Sequence, residues 1–503
     1  MLKSLWNGVN GVKTQNLGVD ITANNISNVN TIGFKRTSSE FADIFYQRVV
    51  SRSANPAEIG SGSLLSASKV VYEQGSFTDG EGEFDVALMG KGFFGVRGFS
   101  QTYYTRNGEF TRDGNNYLVD ASGNFVLGTV NPNLVPTQFS DRVAQAMGRL
   151  NGTNDLVTSG FTVNNPNQDF TIAPSTMQTK LFVPSKNMYY FPEVTTQATF
   201  KGTISAVLNT STQKIGLNTE KTDKTSVATF KPTDGFDMTS ASVVSITQVG
   251  ERSTYEDKAF GVRVYNLDGS VSSLKCNLHL TNTNRTEKDD FIYEVVAGVY
   301  DDNGALIGSE SRGRIVFDKF GSLKENTLTS VPNPQGGVIN INFGTPTNSP
   351  STDRTGAGWD GVYILPESKS DAITSSGNGV AEGFFNRYQI EQDGSIIVQF
   401  TNGKTVTVGK LALYTFINEQ GLAVVGGNNF MATSNSGAAS FLYDNEGKLV
   451  RPALFVGQKL EMSNTDLSTE LTNLIVMQRG FEASSKSITT SDSMLQTAIG
   501  LKK

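Results

Sequence analysis

The stretch DLSTELTNLIVMQRGFEASSKSITTSDSMLQTAI, residues 466–499, carries Leu467, Leu471, Leu474, Gln478, Phe481, Ser485, Ile488, Asp492, Leu495 and Ile499 in alternating steps of four and three. That rhythm is a heptad stripe, the pattern of a helix that buries one seam against partners. Ser463, Asn464, Thr465 and Asp466 stand just before it as N-cap candidates. Lys502 and Lys503 stand at the far end, where positive charge suits the helix dipole. A helix over 466–499 is about 51 Å long at 1.5 Å per residue. A lone helix of that length is too exposed to form a domain core. It needs partners, either a helix at the other end of the chain or copies from other chains.

The N-terminus offers such a helix. Leu5, Val9, Val12, Asn16, Val19, Ala23 and Ile26 follow the same rhythm. Asn16 is polar and Ala23 small, so this end alone also fits an ordinary amphipathic helix packed on its own domain. A second face carries Gly8, Gly11, Gln15, Gly18, Thr22 and Asn25. Each glycine in a helix interior costs about 1 kcal/mol relative to alanine. The helix is weak by itself, and its bare face lets another backbone come close. Both features suit a segment that folds when packed among neighbours.

From about Lys69 to Val456 the pattern is β. Short apolar or alternating runs are punctuated by Asn107–Gly108, Asp113–Gly114, Asp268–Gly269, Asn303–Gly304, Asp393–Gly394 and Asn402–Gly403. Such pairs predict hairpin turns, because they tolerate positive φ. Val262 and Val264, then Leu274, Cys276, Leu278 and Leu280, alternate as half-buried strands. Cys276 reads as a small core residue, and His279 falls on the outward face.

Composition narrows the function. The net charge is −6 with Lys and Arg scattered, which is no footprint for nucleic acid. One Cys and one His leave no intramolecular disulfide and no ordinary zinc cluster. Gly90-Lys91-Gly92 resembles a phosphate loop superficially, but Asp85 stands where the first glycine is needed and no Ser or Thr follows the Lys. No GxSxG elbow is present, and Asp301-Asp302-Asn303-Gly304 lacks the closing Glu of a calcium loop. These readings point to no catalytic, cofactor or metal site. No run of about 18 apolar residues is present to span a membrane. Met1–Asn10 shows no cleaved secretory signal.

Four blocks make the chain resemble the rod–hook family of flagellar axial proteins. The first, Asn24-Asn25-Ile26-Ser27-Asn28-Val29-Asn30-Thr31-Ile32-Gly33-Phe34-Lys35, is similar to the family's NNxxNxNTxGFK signature. The second runs from Gln74-Gly75 through Phe84-Asp85-Val86-Ala87 and Gly90-Lys91-Gly92-Phe93-Phe94 to Tyr104-Thr105-Arg106-Asn107-Gly108-Glu109-Phe110 and Gly123–Gly128. The third comprises Asp393-Gly394, Leu411-Ala412-Leu413, Phe416, Gly421-Leu422 and Ser436-Gly437. The fourth is Leu460-Glu461-Met462-Ser463-Asn464-Thr465-Asp466-Leu467-Ser468-Thr469-Glu470-Leu471 with Gln478-Arg479 and Met494-Leu495-Gln496. They cover roughly half the chain, in the family's order. Val264–Gly269 and Ile315–Gly321 resemble the outer β domain of hook members of this family. Phe84 departs from the family's usual Leu, and the middle insertion is longer than in compact hook members, which leaves room for an additional outermost domain.

The resemblance implies a multidomain, mainly β fold with nested, discontinuous β domains and a coiled-coil-like inner domain of N- and C-terminal α-helices. The expected boundaries are 1–30 with 460–503 for the helical domain, 31–70 for a connecting segment, 71–150 with 370–459 for a β domain, and 151–369 for inserted outer β domains. The implied role is a structural subunit of the flagellar hook, a self-assembling curved tube that couples rod to filament. The assembly seam would be Leu5, Val9, Val12, Val19, Ile26, Leu467, Leu471, Leu474, Phe481, Ile488 and Leu495. The signature residues would be Asn30, Thr31, Gly33, Phe34, Lys35, Gly92, Phe93 and Phe94. Implied partners are further copies of the chain, rod and hook–filament junction proteins, the hook cap and the type III export apparatus, with no nucleic acid and no membrane embedding. The implied location is extracellular, in the flagellum. Competing readings are a distal rod or junction protein, a secreted β-rich adhesin, and a polysaccharide-acting enzyme on a β scaffold. The enzyme is disfavoured because both termini are given over to association.

Overall fold

A computed structural model of the chain describes residues 2–50, 57–153, 155–166, 168, 170, 178–205, 208–216, 247–255, 257–281, 288–365, 370–443, 449–450 and 452–501. Lys502 and Lys503, read above as complements to the helix dipole, lie outside the described residues. The chain divides into two units, one formed by Met1–Tyr190 with Phe384–Lys503 and the other by Phe191–Gly383.

The first unit holds helix α1 (Leu2–Ser27), helix α2 (Asp141–Leu150) and helix α3 (Leu467–Gly500). Asp466 caps α3: its side chain accepts hydrogen bonds from the Ser468 and Thr469 amides at 2.8 and 3.2 Å, satisfying two of the amides a helix start leaves unpaired. Between α1 and the β structure, Thr37–Asp43 and Ser63–Val70 pair as an antiparallel ribbon. Polar side chains of α1 hold the ribbon and the segment before its second strand. Asn7, Asn10 and Thr14 donate to the carbonyls of Gly60, Ser61 and Ser63, and Asn25 exchanges two hydrogen bonds with the Thr37 backbone. The connecting segment 31–70 thus includes a β ribbon fastened along the first helix.

The β core of this unit is discontinuous in sequence. Its main path runs through Tyr189–Tyr190, Gly383–Ile390, Ser395–Phe400, Thr405–Leu411, Phe125–Val130, Phe93–Arg97, Thr102–Thr105, Asn429–Met431 and Ala423–Gly426. Strands from both halves of the chain thus share one sheet. An aromatic cluster fills it, with Phe93 edge-on to Phe416 and Phe430, and Tyr104 edge-on to Tyr414 and Phe416. Phe84, the departure from the family's leucine, is buried and packs on Tyr388 at 5.2 Å.

Residues 151–190, expected in the insertion, belong to this first unit. Ser159–Val163 pairs with Leu134–Gln138, and Thr179–Lys180 pairs with Phe125–Val130. Residues 370–383 go the other way, because Ala372–Gly377 pairs with Gln197–Ser205 of the second unit. Helix α2 is a further difference from the uniform β reading. It buries Val143, Ala144 and Met147, with Val143 and Met147 clustered with Tyr189, in a stretch too short for a periodicity to declare itself.

Among its described residues the second unit contains two five-stranded sheets and a ribbon in which Leu208–Gly216 pairs with Thr247–Tyr255. One sheet is an antiparallel meander of Lys258–Tyr265, Val271–Leu280, Phe291–Tyr300, Leu306–Phe317 and Leu323–Asn326. In Val271–Leu280 the residues Leu274, Cys276, Leu278 and Leu280 point inward, while His279 is exposed. Burial pushes the Cys276 thiol up to about 12, so it is an inert core group. The other sheet centres on Gln197–Ser205, which runs parallel to both Gly337–Asn342 and Val362–Leu365. Phe200 and Phe343 join the two sheets in one core with Leu274 and Val295.

Four of the six expected turns carry their glycine at positive φ, with Gly269, Gly304, Gly394 and Gly403 between 79° and 81°. The other two do not. At Asp113 the positive φ falls on Asn116, and Gly108 is held by close approach to the Val86 carbonyl instead of by a hairpin.

The chain leaves and re-enters the first unit at neighbouring points, since the Tyr189 and Phe384 rings lie 5.6 Å apart. Deleting 191–383 and joining Tyr190 to Phe384 through a short glycine linker is expected to leave a folded protein. Circular dichroism should retain helix and strand signals, and thermal unfolding should remain cooperative. A deletion product without a cooperative transition would show that the first unit does not fold alone.

Candidate functional site

Lys35, the last residue of the signature, places its Nζ 2.6 Å from Oε1 of Glu461, and both side chains are 0% exposed. Arg106 approaches the same carboxylate from the other side, Nη1 to Oε2 at 3.3 Å, with its side chain 2% exposed. The Gly75 amide donates to Oε1 at 2.9 Å. Lys35 also donates to the Glu73 carbonyl, and Arg106 Nη2 to the Gly90 carbonyl. Burial pulls the Lys35 and Arg106 pKa values below their ordinary range, and Glu461 opposes that shift in both. One carboxylate thus holds together the end of the N-terminal segment, a hairpin of the β core and the strand leading into α3.

Gly33 completes this latch. Its amide donates to the Glu461 carbonyl at 2.7 Å, and its φ is +70°. A Cβ there would lie 2.5 Å from the Asn107 nitrogen and 2.8 Å from the Arg106 carbonyl carbon, so only glycine fits. Thr31 closes the turn before it, donating to Asn28 Oδ1 at 3.1 Å, while Asn30 is exposed and Phe34 half-buried. Phe93 and Phe94 are fully buried, Phe94 against Phe110 and Phe455, and Gly92 leaves room for the Leu413 side chain.

Helices α1 and α3 pack antiparallel through the bare face of α1. A Cβ on Gly8 would meet Ile488 Cγ1 at 2.6 Å, one on Gly11 would meet Ser484 Oγ at 2.6 Å, and one on Gly18 would meet Met477 Sδ at 2.8 Å. Gly480 of α3 returns the favour to Gln15, whose Cδ would be 2.8 Å from an added Cβ. Of the two partners anticipated for α3, the structure supplies the helix of its own chain.

The heptad seam is placed differently. Leu5, Val9, Val12, Val19 and Ile26 are half-buried. Leu474, Ile488 and Leu495 are half-buried too, with Ile488 against Gly8. Leu467, Leu471 and Phe481 stay exposed, Leu471 at 44% and Phe481 at 38%. Ile475 and Val476 of α3 and Trp6 and Leu17 of α1 join them at the surface. The helix pair therefore keeps an apolar surface after its two members have met.

Sequence reasoning quoted Arg106 and Glu461 inside family blocks but gave them no role. The available signal was a charged residue between apolar neighbours, as in Leu460-Glu461-Met462. It does not name a partner 355 or 426 positions away.

Two other polar clusters invite a chemical reading. In the second unit Lys258 Nζ donates to Ser205 Oγ at 3.1 Å and pairs with Asp371 Oδ2 at 3.2 Å, while Ser205 Oγ donates to Asp371 Oδ1 at 2.8 Å. Burial works to raise the Asp371 pKa, yet hydrogen bonds from Ser205 and Lys258 hold it below the usual range. The trio ties Gln197–Ser205 and Lys258–Tyr265 to Asp371, just before Ala372–Gly377. His279 Nδ1 lies 2.5 Å from Asp257 Oδ1 at an exposed site. Among the described residues no group of three His, Cys, Asp or Glu could hold a metal, and no helix is long and apolar enough to cross a membrane.

The latch draws one residue from each of three segments that match known families. Residues 5–35 match the flagella basal body rod protein family, 87–175 the flagellar hook protein FlgE/F/G D1 domain, and 456–501 the flagellar basal body rod FlgEFG protein C-terminal family. All three matches are to flagellar rod–hook proteins. Flagellar hook protein FlgE of Treponema pallidum is 27% identical over 512 residues, covering 100% of both chains. Flagellar hook protein FlgE of Borreliella burgdorferi is 27% identical over 524 residues, again across 100% of both. The crystal structure of Helicobacter pylori flagellar hook protein FlgE2 overlaps 75% of this chain and 98% of its own with a TM-score of 0.43 and 16% identity. The latch joins backbone segments distant in sequence, and its three charged side chains are at most 2% exposed.

Glu461 serves two buried cations, so its loss should cost more than the loss of either partner. Glu461→Gln is expected to lower unfolding stability by about 3–5 kcal/mol, the range for stranding a buried charge. Lys35→Met leaves Glu461 paired with Arg106 and the Gly75 amide, and should cost clearly less. Denaturant midpoints of the two variants check the order, and equal losses would refute the shared-carboxylate reading.

Proposed function

We infer that this chain is a structural subunit of the bacterial flagellar hook, and that it polymerises through its terminal helices into a curved tube that couples rod to filament. The observation that carries the reading is the helix pair. Its two members satisfy each other through glycine, serine and methionine, yet Leu467, Leu471, Ile475, Val476 and Phe481 remain in water. An exposed apolar stripe on a helix of 34 residues is a liability in a monomer and an asset in an array. Burying it against neighbouring copies supplies the driving force for assembly. A subunit that meets its neighbours through different faces builds an open helical polymer, the geometry a tube requires.

On this reading the two helices line the tube and the β units lie outside them. Rod and junction proteins of the same family contact the two ends of the tube. The hook cap and the type III export apparatus act during delivery and assembly, and the tube itself lies outside the cell. Torque passes through contacts between copies, so the subunit needs no catalytic group.

Electron microscopy of the assembled protein tests the reading directly. A curved hollow polymer supports the hook, a short straight one the rod, and discrete particles neither. Leu471→Asp is expected to leave the monomer's unfolding midpoint unchanged, because Leu471 is already exposed, and to abolish polymer formation. Sedimentation of the variant under conditions that polymerise the parent is the check, and tubes of normal length from it would remove α3 from the assembly surface.

A further inference from the structure

The latch as described is short of negative charge. Lys35 and Arg106 bring two cations to one carboxylate, all three nearly inaccessible to solvent. An unbalanced buried charge is costly, because desolvation is repaid only by close opposite charge and complete hydrogen bonding. Two buried polar atoms beside the latch also find no partner in the protein, Arg106 Nε and Tyr72 Oη. They belong to side chains gathered on one ring. The Arg106 guanidinium lies 5.4 Å over Phe93, and the Tyr72 ring meets Phe93 and Phe430 edge-on, each at 5.6 Å.

The turn Glu419–Gly421 is fastened to the same place. Gln420 Nε2 donates to the Val70 carbonyl at 2.9 Å, two residues before Tyr72, and the Asn418 side chain and backbone hold the turn from below through Asn435 and Ser436. Glu419 is half-buried and forms no direct ion pair among the described residues. Burial dominates the pKa shifts of Lys35, Arg106 and Tyr72, and the Glu419 charge adds to each in the raising direction, as a nearby carboxylate does.

We propose that one internal water is held between Arg106 Nε, Tyr72 Oη and the Glu419 carboxylate, and that through it Glu419 serves as the second counter-ion of the latch. The hydrogen bonds close. Arg106 Nε–H donates to the water oxygen, the water donates to Glu419, and the Tyr72 hydroxyl supplies a third contact. Three contacts are the usual number for a buried water. The charges close as well, with Lys35 and Arg106 set against Glu461 and Glu419. Glu419 is then a positioning residue: through the water it holds the Arg106 guanidinium in the orientation that reaches both Glu461 and the Gly90 carbonyl. This inference stands apart from the polymer reading, since it concerns the folded single chain.

A high-resolution structure of the full chain should show one ordered solvent peak within hydrogen-bond distance of Arg106 Nε and Tyr72 Oη. An empty or apolar-filled gap there would overturn the proposal. Thermal unfolding gives a second, independent reading. Tyr72→Phe and Glu419→Gln are each expected to lower the midpoint by about 2 °C or more. Because both act through the same water, the double variant should fall no further than the worse single one. Additive losses, or no loss in either single variant, would show that Glu419 is not coupled to the latch. Both substitutions keep the size of the side chain, so a folded protein is available for each measurement.

Discussion

Everything in the first unit depends on where the Glu461 carboxylate sits. It accepts from Lys35 and from the Gly75 amide, pairs with Arg106, and lies in a strand end whose carbonyl holds Gly33. A buried ion pair is weak as a source of net stability, because desolvation consumes most of the attraction. Its strength is discrimination. Any arrangement that leaves Lys35 or Arg106 without Glu461 strands a charge in the core, so incorrect registers of the two termini are penalised far more than the correct one is rewarded. That penalty fixes the base from which both helices leave the β core. Asp466, five residues after Glu461, then starts α3 in a defined direction.

Above that base the chain uses a different physics. The contact between α1 and α3 is made by glycine, serine and a flexible methionine. Glycines lower the intrinsic stability of α1, so the helix depends on its surroundings. Close backbone approach compensates through dispersion, which is collective and adapts to small shifts. A firm ionic base and an adaptable helix contact are a sensible division for a subunit that repeats in a bending polymer. The base keeps each subunit identical, and the upper contact accepts small changes without breaking a hydrogen-bonded network.

Much of this was legible in the sequence and some was not, for identifiable reasons. The helix at 467–500 was legible because its apolar residues keep one period over many turns and Asp466 marks its start. The alternation of Leu274, Cys276, Leu278 and Leu280 was legible because a strand with one buried face must alternate. The bare face of α1 was visible as a row of small residues, but its occupant was not, since glycine says only that something comes close. Helix α2 was hidden by its length. The parallel pairing of Gln197–Ser205 with two strands far along the chain was hidden because hairpin signals report only local, antiparallel partners. The boundary at 190 and 383 was hidden for the same reason, being set by which distant strand Tyr189–Tyr190 and Ala372–Gly377 happen to meet.

The latch was the hardest feature to foresee, and the reason is general. A core apolar residue announces itself by its pattern, whereas a buried charge looks like any surface charge until its partners are known. Arg106 and Glu461 stand next to interior residues, Thr105 and Tyr104 before Arg106 and Leu460 before Glu461, and the half-buried Phe34 precedes Lys35. An isolated charge in such company is a fault, but three of them in one chain suggest an answer, because each is the remedy for the others. Reading charged residues for apolar neighbourhoods, and then asking whether their signs can cancel, would have nominated Glu461 as the counterpart of Lys35 and Arg106. It would also have left a surplus positive charge, and the same arithmetic then leads to the carboxylate on the turn beside Tyr72.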